Sequence, residues 1–203
     1  MAYKIIYKVV AVLLALCVIP ISIFSPIVQI VGSMSLGDNY IGEHVSLYDF
    51  YRLFLGKHAI YHASEKYEMT DEVRSTMPWL ITSGAFLGAA LLLGIAAAVT
   101  AICCKKKFPT LLISAVAALS VVGLFRAFRA FAAPYLDGTI TLAKMGLMGQ
   151  NFLSSIVSSI VKLEILQISS AGFLMFGAFA ALFIWVGAFM LVELGEETPS
   201  KKR

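Results

Sequence analysis

The segment GKHAIYHASEKYE, residues 56 to 68, places His58, His62 and Glu65 at i, i+4 and i+7. On a helix the three share one stripe, two imidazoles and a carboxylate of the kind that holds tetrahedral zinc, and His44 is available as a further ligand. The spacing lacks the intervening glutamate of HExxH, and nothing around it dictates a helix. Solvated loop histidines are therefore the simpler expectation, and no cofactor is assigned, with zinc kept as the alternative. Ser46 and Ser64 near the same histidines could be drawn as a hydrolase, but no nucleophile elbow or glycine-rich oxyanion segment accompanies them. An enzyme is expected less than a non-enzymatic role.

A second group with chemistry is the pair Arg126 and Arg129 inside FRAFRAF, residues 125 to 131. Guanidinium groups one turn apart among phenylalanines suit two tasks. They can anchor a helix end at the membrane interface, or clamp a lipid phosphate or a loop carboxylate bidentately. Asp49, Glu65 and Asp137 are the candidate carboxylates.

Composition sets the environment in which these residues work. Of 203 residues, 60% are hydrophobic and 14% charged, and the mean hydropathy is +0.87, far beyond a soluble domain. Four apolar segments reach the roughly 20 residues that a spanning helix needs, at about 5–31, 79–104, 108–127 and 168–192. The expected fold is an all-α, integral membrane four-helix bundle in a single multi-pass domain, with outer loops at about 32–78 and 128–167. Pro20 and Pro26 are expected to kink the first span. That span is read as a retained helix, since it is long for a signal-peptide core and lacks a cleavage site.

Basic clusters orient the spans. Lys4 and Lys8 flank the start, Lys105 to Lys107 fill the turn between the second and third spans, and Lys201, Lys202 and Arg203 close the tail. By the positive-inside rule all three clusters, and both termini, belong in the cytoplasm of a cell or inner membrane. Residues 32 to 78 carry four basic and seven acidic side chains, which suits the outer face. The net charge of +4 lies in these short clusters, without the interleaved basic and aromatic surface that nucleic acid requires. All eight tyrosines are expected near helix ends or outside the spans, and Cys17, Cys103 and Cys104 form no disulfide framework.

The central parts of the spans lack Asp, Glu, Lys, Arg and His, which disfavours proton relays and ion-coupled transport. They carry small residues instead, with Gly84, Gly88 and Gly177 as the expected helix-packing positions. In the first loop, Ser46 as N-cap and Gly56 as stop bracket a short amphipathic helix, LYDFYRLFL, residues 47 to 55. Its apolar face, Leu47, Phe50, Tyr51 and Phe54, must dock on the bundle, on lipid or on a partner. In the second loop, Asp137-Gly138 reads as the turn of a small hairpin, and the paired serines of FLSSIVSSIVKLEILQ read as an amphipathic helix running into the fourth span. These short helices form an extracytoplasmic cap.

Four spans, a larger first outer loop, a shorter second one and cysteines beside a helix end resemble claudins and related tetraspan proteins in outline. The claudin tryptophan, GLW and cysteine pair are absent from residues 32 to 78, as are the loop cysteines of tetraspanins, so no residue role is carried over. The functional expectation is a non-enzymatic interaction, assembly or accessory subunit acting through its outer cap. Its partners are the lipid bilayer and either a second copy or another membrane protein. A small oligomeric channel or transport component is the first alternative, and an outer-face metal-dependent enzyme the second.

Overall fold

The computed structural model describes residues 2–34, 40–48, 71–140 and 161–197. In chain order its elements are α1 (Ala2–Leu16), α2 (Val18–Phe24), β1 (Pro26–Met34), β2 (Tyr40–Ser46), α3 (Asp71–Cys103), α4 (Phe108–Leu136), β3 (Val161–Ile168) and α5 (Ser170–Glu197). Four helical stretches are long and apolar enough to cross a membrane: Tyr3–Phe24, Asp71–Cys103, Phe108–Leu136 and Ser170–Glu193. The protein is mostly helical, but the all-α expectation is corrected by a three-stranded antiparallel sheet of order β2-β1-β3.

The sheet changes the ends of two expected spans. The first helical stretch stops at Phe24, because Pro26 has no N–H to continue it and Ile27, Val28, Ile30 and Val31 are β-branched residues that suit a pleated strand. Pro26 stands at the first position of β1, where a missing donor is tolerated. At the other end, the helix expected to run through residues 152–167 into the fourth span is overturned for its described part. Residues 161–168 alternate Val161, Lys162, Leu163, Glu164, Ile165 and form β3, while α5 begins at Ser170. The ladder slips once: Val31 faces Ile165 and Gly32 faces Leu163, so Glu164 is the extra residue of a bulge. Residues 152–160 lie outside the described residues.

Pro20 interrupts the first span without ending it. The break falls at Cys17, between α1 and α2, which leaves Pro20 in the first turn of α2, where its fixed φ is tolerated and only the single bond to the preceding turn is lost. Cys17 N–H donates to the Leu13 carbonyl at 2.9 Å and Ile21 N–H to the Cys17 carbonyl at 3.2 Å, so the bonding carries across.

The chain divides into two compact units. The first comprises residues 1–21, 85–123 and 173–203 and packs parts of all four spans. Its core is built on small residues: Tyr7, Ala11 and Ala15 at every fourth position of α1 meet Ala97, Ala98 and Ala101 of α3 and Leu182 and Val186 of α5. Four-residue spacing keeps these side chains on one face, and alanine lets the backbones come close. The closest approach is at Gly94, where an added Cβ would sit 2.9 Å from the Ala15 carbonyl oxygen. Thr110 Oγ1 donates to Thr100 Oγ1 at 3.1 Å, a fully buried hydroxyl satisfied between α4 and α3.

The second unit, residues 22–84 and 124–172, holds the sheet, the first turns of α3 and the last turns of α4. Val73, Tyr135 and Ile140 form its core, with Met77, Phe131 and Leu166 packed against them. Phe128, Phe131 and Tyr135 stack along α4 with ring centroids 5.6 and 5.2 Å apart, and the Tyr135 hydroxyl pairs with Thr76 Oγ1 at 3.0 Å. The hairpin expected at Asp137-Gly138 is instead the end of α4, which continues to Leu136. Gly138 takes φ of 79° to reverse the chain, as glycine does beyond a helix C-terminus, and the Ile140 N–H returns to the Pro134 carbonyl at 2.8 Å. The Thr139 N–H donates to Asp137 Oδ1 at 2.9 Å, and this bond, with the Thr139 hydroxyl, holds the Asp137 carboxyl below the usual carboxylate range. A lowered folded-state pKa adds stability above the unfolded pKa, and that stability is lost as pH falls through the folded value.

Candidate functional site

Within the first unit, the start of α1, the α3–α4 turn and the last turns of α5 enclose an open cleft of about 340 Å³. Lys4, Tyr7, Lys8, Cys103, Cys104, Lys105, Lys107 and Glu193 line it. Each is placed by a local rule. Lys4 and Lys8 are one helical turn apart on α1, and Lys8 Nζ donates to the Ile102 carbonyl at 2.7 Å, satisfying an acceptor that the end of α3 leaves open. Cys103 ends α3 and Cys104 follows, both exposed. Pro109 stands in the first turn of α4, where it costs no hydrogen bond, so the three lysines are confined to a tight turn.

Lys107 departs from its neighbours by being buried, with side-chain exposure of 8%. Its ammonium pairs with the Glu193 carboxylate and lies 4.9 Å from the Tyr7 ring centroid and 5.4 Å from that of Phe189. Two aromatic faces and one carboxylate thus replace the water that a buried ammonium loses. Trp185 completes this wall. Its ring packs 4.9 Å from Phe189, and its indole N–H donates to the Tyr7 carbonyl at 3.3 Å. Tyr7 and Tyr135, near the start of α1 and the end of α4, are buried at 5% exposure each and belong to the cores of their units.

The expected sites are placed as follows. His58, His62 and Glu65 lie outside the described residues, as do Phe50, Tyr51 and Phe54. His44 is on β2, opposite Gln29 of β1, whose other neighbour Gln167 donates to it at 3.2 Å. Among the described residues no three His, Cys, Asp or Glu side chains gather as a metal site. Leu47 is half-buried directly after Ser46, the buried last residue of β2, and residues 49–55 of the expected short helix lie outside the described residues. Arg126 and Arg129 are exposed on α4, and among the described residues neither forms an ion pair; Asp137 bonds Thr139. At Gly84, Gly88 and Gly177 an added Cβ would meet nothing within 4 Å, whereas Gly94, Gly123 and Gly172 make the close approaches. The helix packing expected at the first three is therefore carried by other glycines and by the alanine seam of α1.

The cleft itself is a feature that residue spacing could not assemble, since its members come from positions 4–8, 103–107 and 193. The signal that was present was the lysine clusters, read only for orientation. Fold and site together define a multi-pass helical membrane protein with a small antiparallel sheet and a basic, thiol-bearing cleft at one end of its spans. Comparison with known proteins finds no family model that matches the chain, no similar curated protein and no similar solved structure.

Proposed function

We propose that the protein is a non-enzymatic interaction, assembly or accessory subunit of a cell or inner membrane, acting through an outer cap formed by the sheet-bearing unit. The observation that carries this reading is the sheet, in which β1 joins the first loop to the segment before α5 and presents β2 and β3 on either side. A strand flanking such a sheet is a surface on which an extended partner segment adds hydrogen bonds. The spans also lack the intramembrane charges of an ion or proton path. A photoreactive residue at exposed Tyr48, just beyond β2, should yield a discrete cross-linked heterocomplex in native membranes. Native mass spectrometry after mild extraction should show the same stoichiometry. Cross-links to lipid alone would remove the proposal.

A small homo-oligomeric channel or transport component is the second reading, and the open space at Gly84, Gly88 and Gly177 favours it, since these small residues would let a second copy approach closely. A mass corresponding to several copies of this chain, without another protein, would select it.

The orientation belongs to the same proposal. With the lysine-lined end in the cytoplasm, a cysteine at Ser64 should react with an impermeant maleimide in intact cells, while Cys103 and Cys104 should react only after permeabilisation. The reverse pattern would place the sheet inside. In this orientation Arg126 and Arg129, about 27 and 31 Å along α4 from Phe108, stand at the far edge of a core about 30 Å thick, as interface anchors or as a clamp on lipid phosphate.

A further inference from the structure

We propose that the basic cleft of the first unit binds a phosphate group, carried by the headgroup of an anionic phospholipid. Four lysines and one glutamate line the cleft, and Glu193 is already paired with Lys107. The charge facing the open space is therefore that of Lys4, Lys8 and Lys105. Lys8 spends one N–H on the Ile102 carbonyl and keeps two. A phosphate offers several acceptor oxygens to such donors, and charge-assisted bonds of this kind are the stronger class. The α4 N-terminus begins at Phe108, directly after the lysines, and its dipole favours an anion there.

Depth and apolar surface identify the carrier. The cleft lies where three spanning stretches end: at Tyr3 of the first, Cys103 of the second and Glu193 of the fourth. This is the level at which headgroups sit. Running away from it along α3, Ile102, Val99, Ile95 and Leu92 are exposed at 52%, 52%, 45% and 69%, spaced three or four residues apart on one face. An acyl chain can follow that stripe while its phosphate occupies the lysines. A soluble phosphate would use the lysines alone.

The two exposed thiols make the site readable. Full-length protein in neutral detergent is alkylated with N-ethylmaleimide, and Cys103 and Cys104 are followed by peptide mass spectrometry, with phosphatidylglycerol, phosphatidylcholine or inorganic phosphate added. Phosphatidylglycerol should slow alkylation at both thiols, and phosphatidylcholine should not. Equal protection by millimolar inorganic phosphate would support the phosphate site but assign it to a soluble ester. The double variant Lys4→Gln/Lys105→Gln should need about 25-fold more phosphatidylglycerol for the same protection, at about fivefold per lysine near a lipid surface. The tail variant Lys201→Gln/Lys202→Gln has the same net charge and should behave as wild type. Protection by neither phosphatidylglycerol nor phosphate, or an equal effect of the tail variant, would overturn the proposal.

Discussion

Gly94→Ala is expected to destabilise the first unit by about 1–2 kcal/mol, while Gly88→Ala in the same helix raises stability slightly. The two substitutions share their intrinsic term, a gain of about 0.5–1 kcal/mol from replacing a mid-helix glycine. They differ in what the new methyl meets. At Gly94 it would lie 2.9 Å from the Ala15 carbonyl oxygen, with the Phe179 ring 3.6 Å away, whereas at Gly88 nothing lies within 4 Å. A backbone carbonyl in a helix cannot rotate aside as a side chain can, so α1 or α3 has to move and the alanine seam opens. Overpacking of this kind costs about 1–3 kcal/mol, enough to outweigh the propensity gain. Gly94→Leu should prevent folding altogether. Reversible unfolding followed by tryptophan fluorescence is the natural measurement, since Trp185 packs in the same unit. Equal effects at positions 88 and 94 would show that the α1–α3 approach is not as close as described. If Gly88→Ala instead weakens a homo-oligomer, GAFLG is a seam between copies, and the channel reading gains.

The spans were legible because hydropathy over twenty residues is a strong signal, and all four helical stretches lie where the apolar runs are. Their ends were not legible, for a specific reason. In Pro26–Met34 the side chains that raise hydropathy are β-branched, so the same residues extend an apolar run and favour a strand. In Val161–Ile168 a clean alternation was present, but the serine pairs before it have a helical period, and reading the two as one segment hid the change. The partner strands β1 and β3 lie more than a hundred residues apart, Gln29 against Gln167 for example, and periodicity carries no information on pairing at that distance.

Site legibility divides in the same way. Lysine clusters are local and were visible, but that Lys107 leaves its exposed neighbours for a buried pocket depends on Tyr7, Phe189 and Glu193, which only the packing of α1 and α5 brings together. Counting helical rise gives the spacing of the arginine pair along α4, because that helix is continuous from Phe108 to Leu136. Glycine spacing is less decisive, since a GxxxG pattern fixes which residues share a face but not whether that face meets a helix of the same chain or of another.

The Lys107–Glu193 pair gives the second large effect, and its two halves should not cost the same. Removing one partner of a fully buried pair costs about 3–5 kcal/mol, because the survivor is left charged and unsolvated. Here the survivors differ: the Lys107 side chain is 8% exposed, that of Glu193 40%. Glu193→Gln strands the ammonium with only the Tyr7 and Phe189 rings for compensation, and the expected loss is about 2 kcal/mol, reduced from the fully buried figure because the pair reaches solvent through the glutamate. Lys107→Met fills the same space with an apolar chain and leaves a carboxylate that water can reach, so about 1 kcal/mol is expected. The double variant should recover much of the loss, since it leaves no unpaired charge in the pocket. Urea or detergent unfolding of the four proteins, treated as a double-mutant cycle, reads the coupling directly. A larger loss for Lys107→Met than for Glu193→Gln would mean that the rings alone suffice to hold the ammonium, and that the carboxylate is the partner depending on the pair.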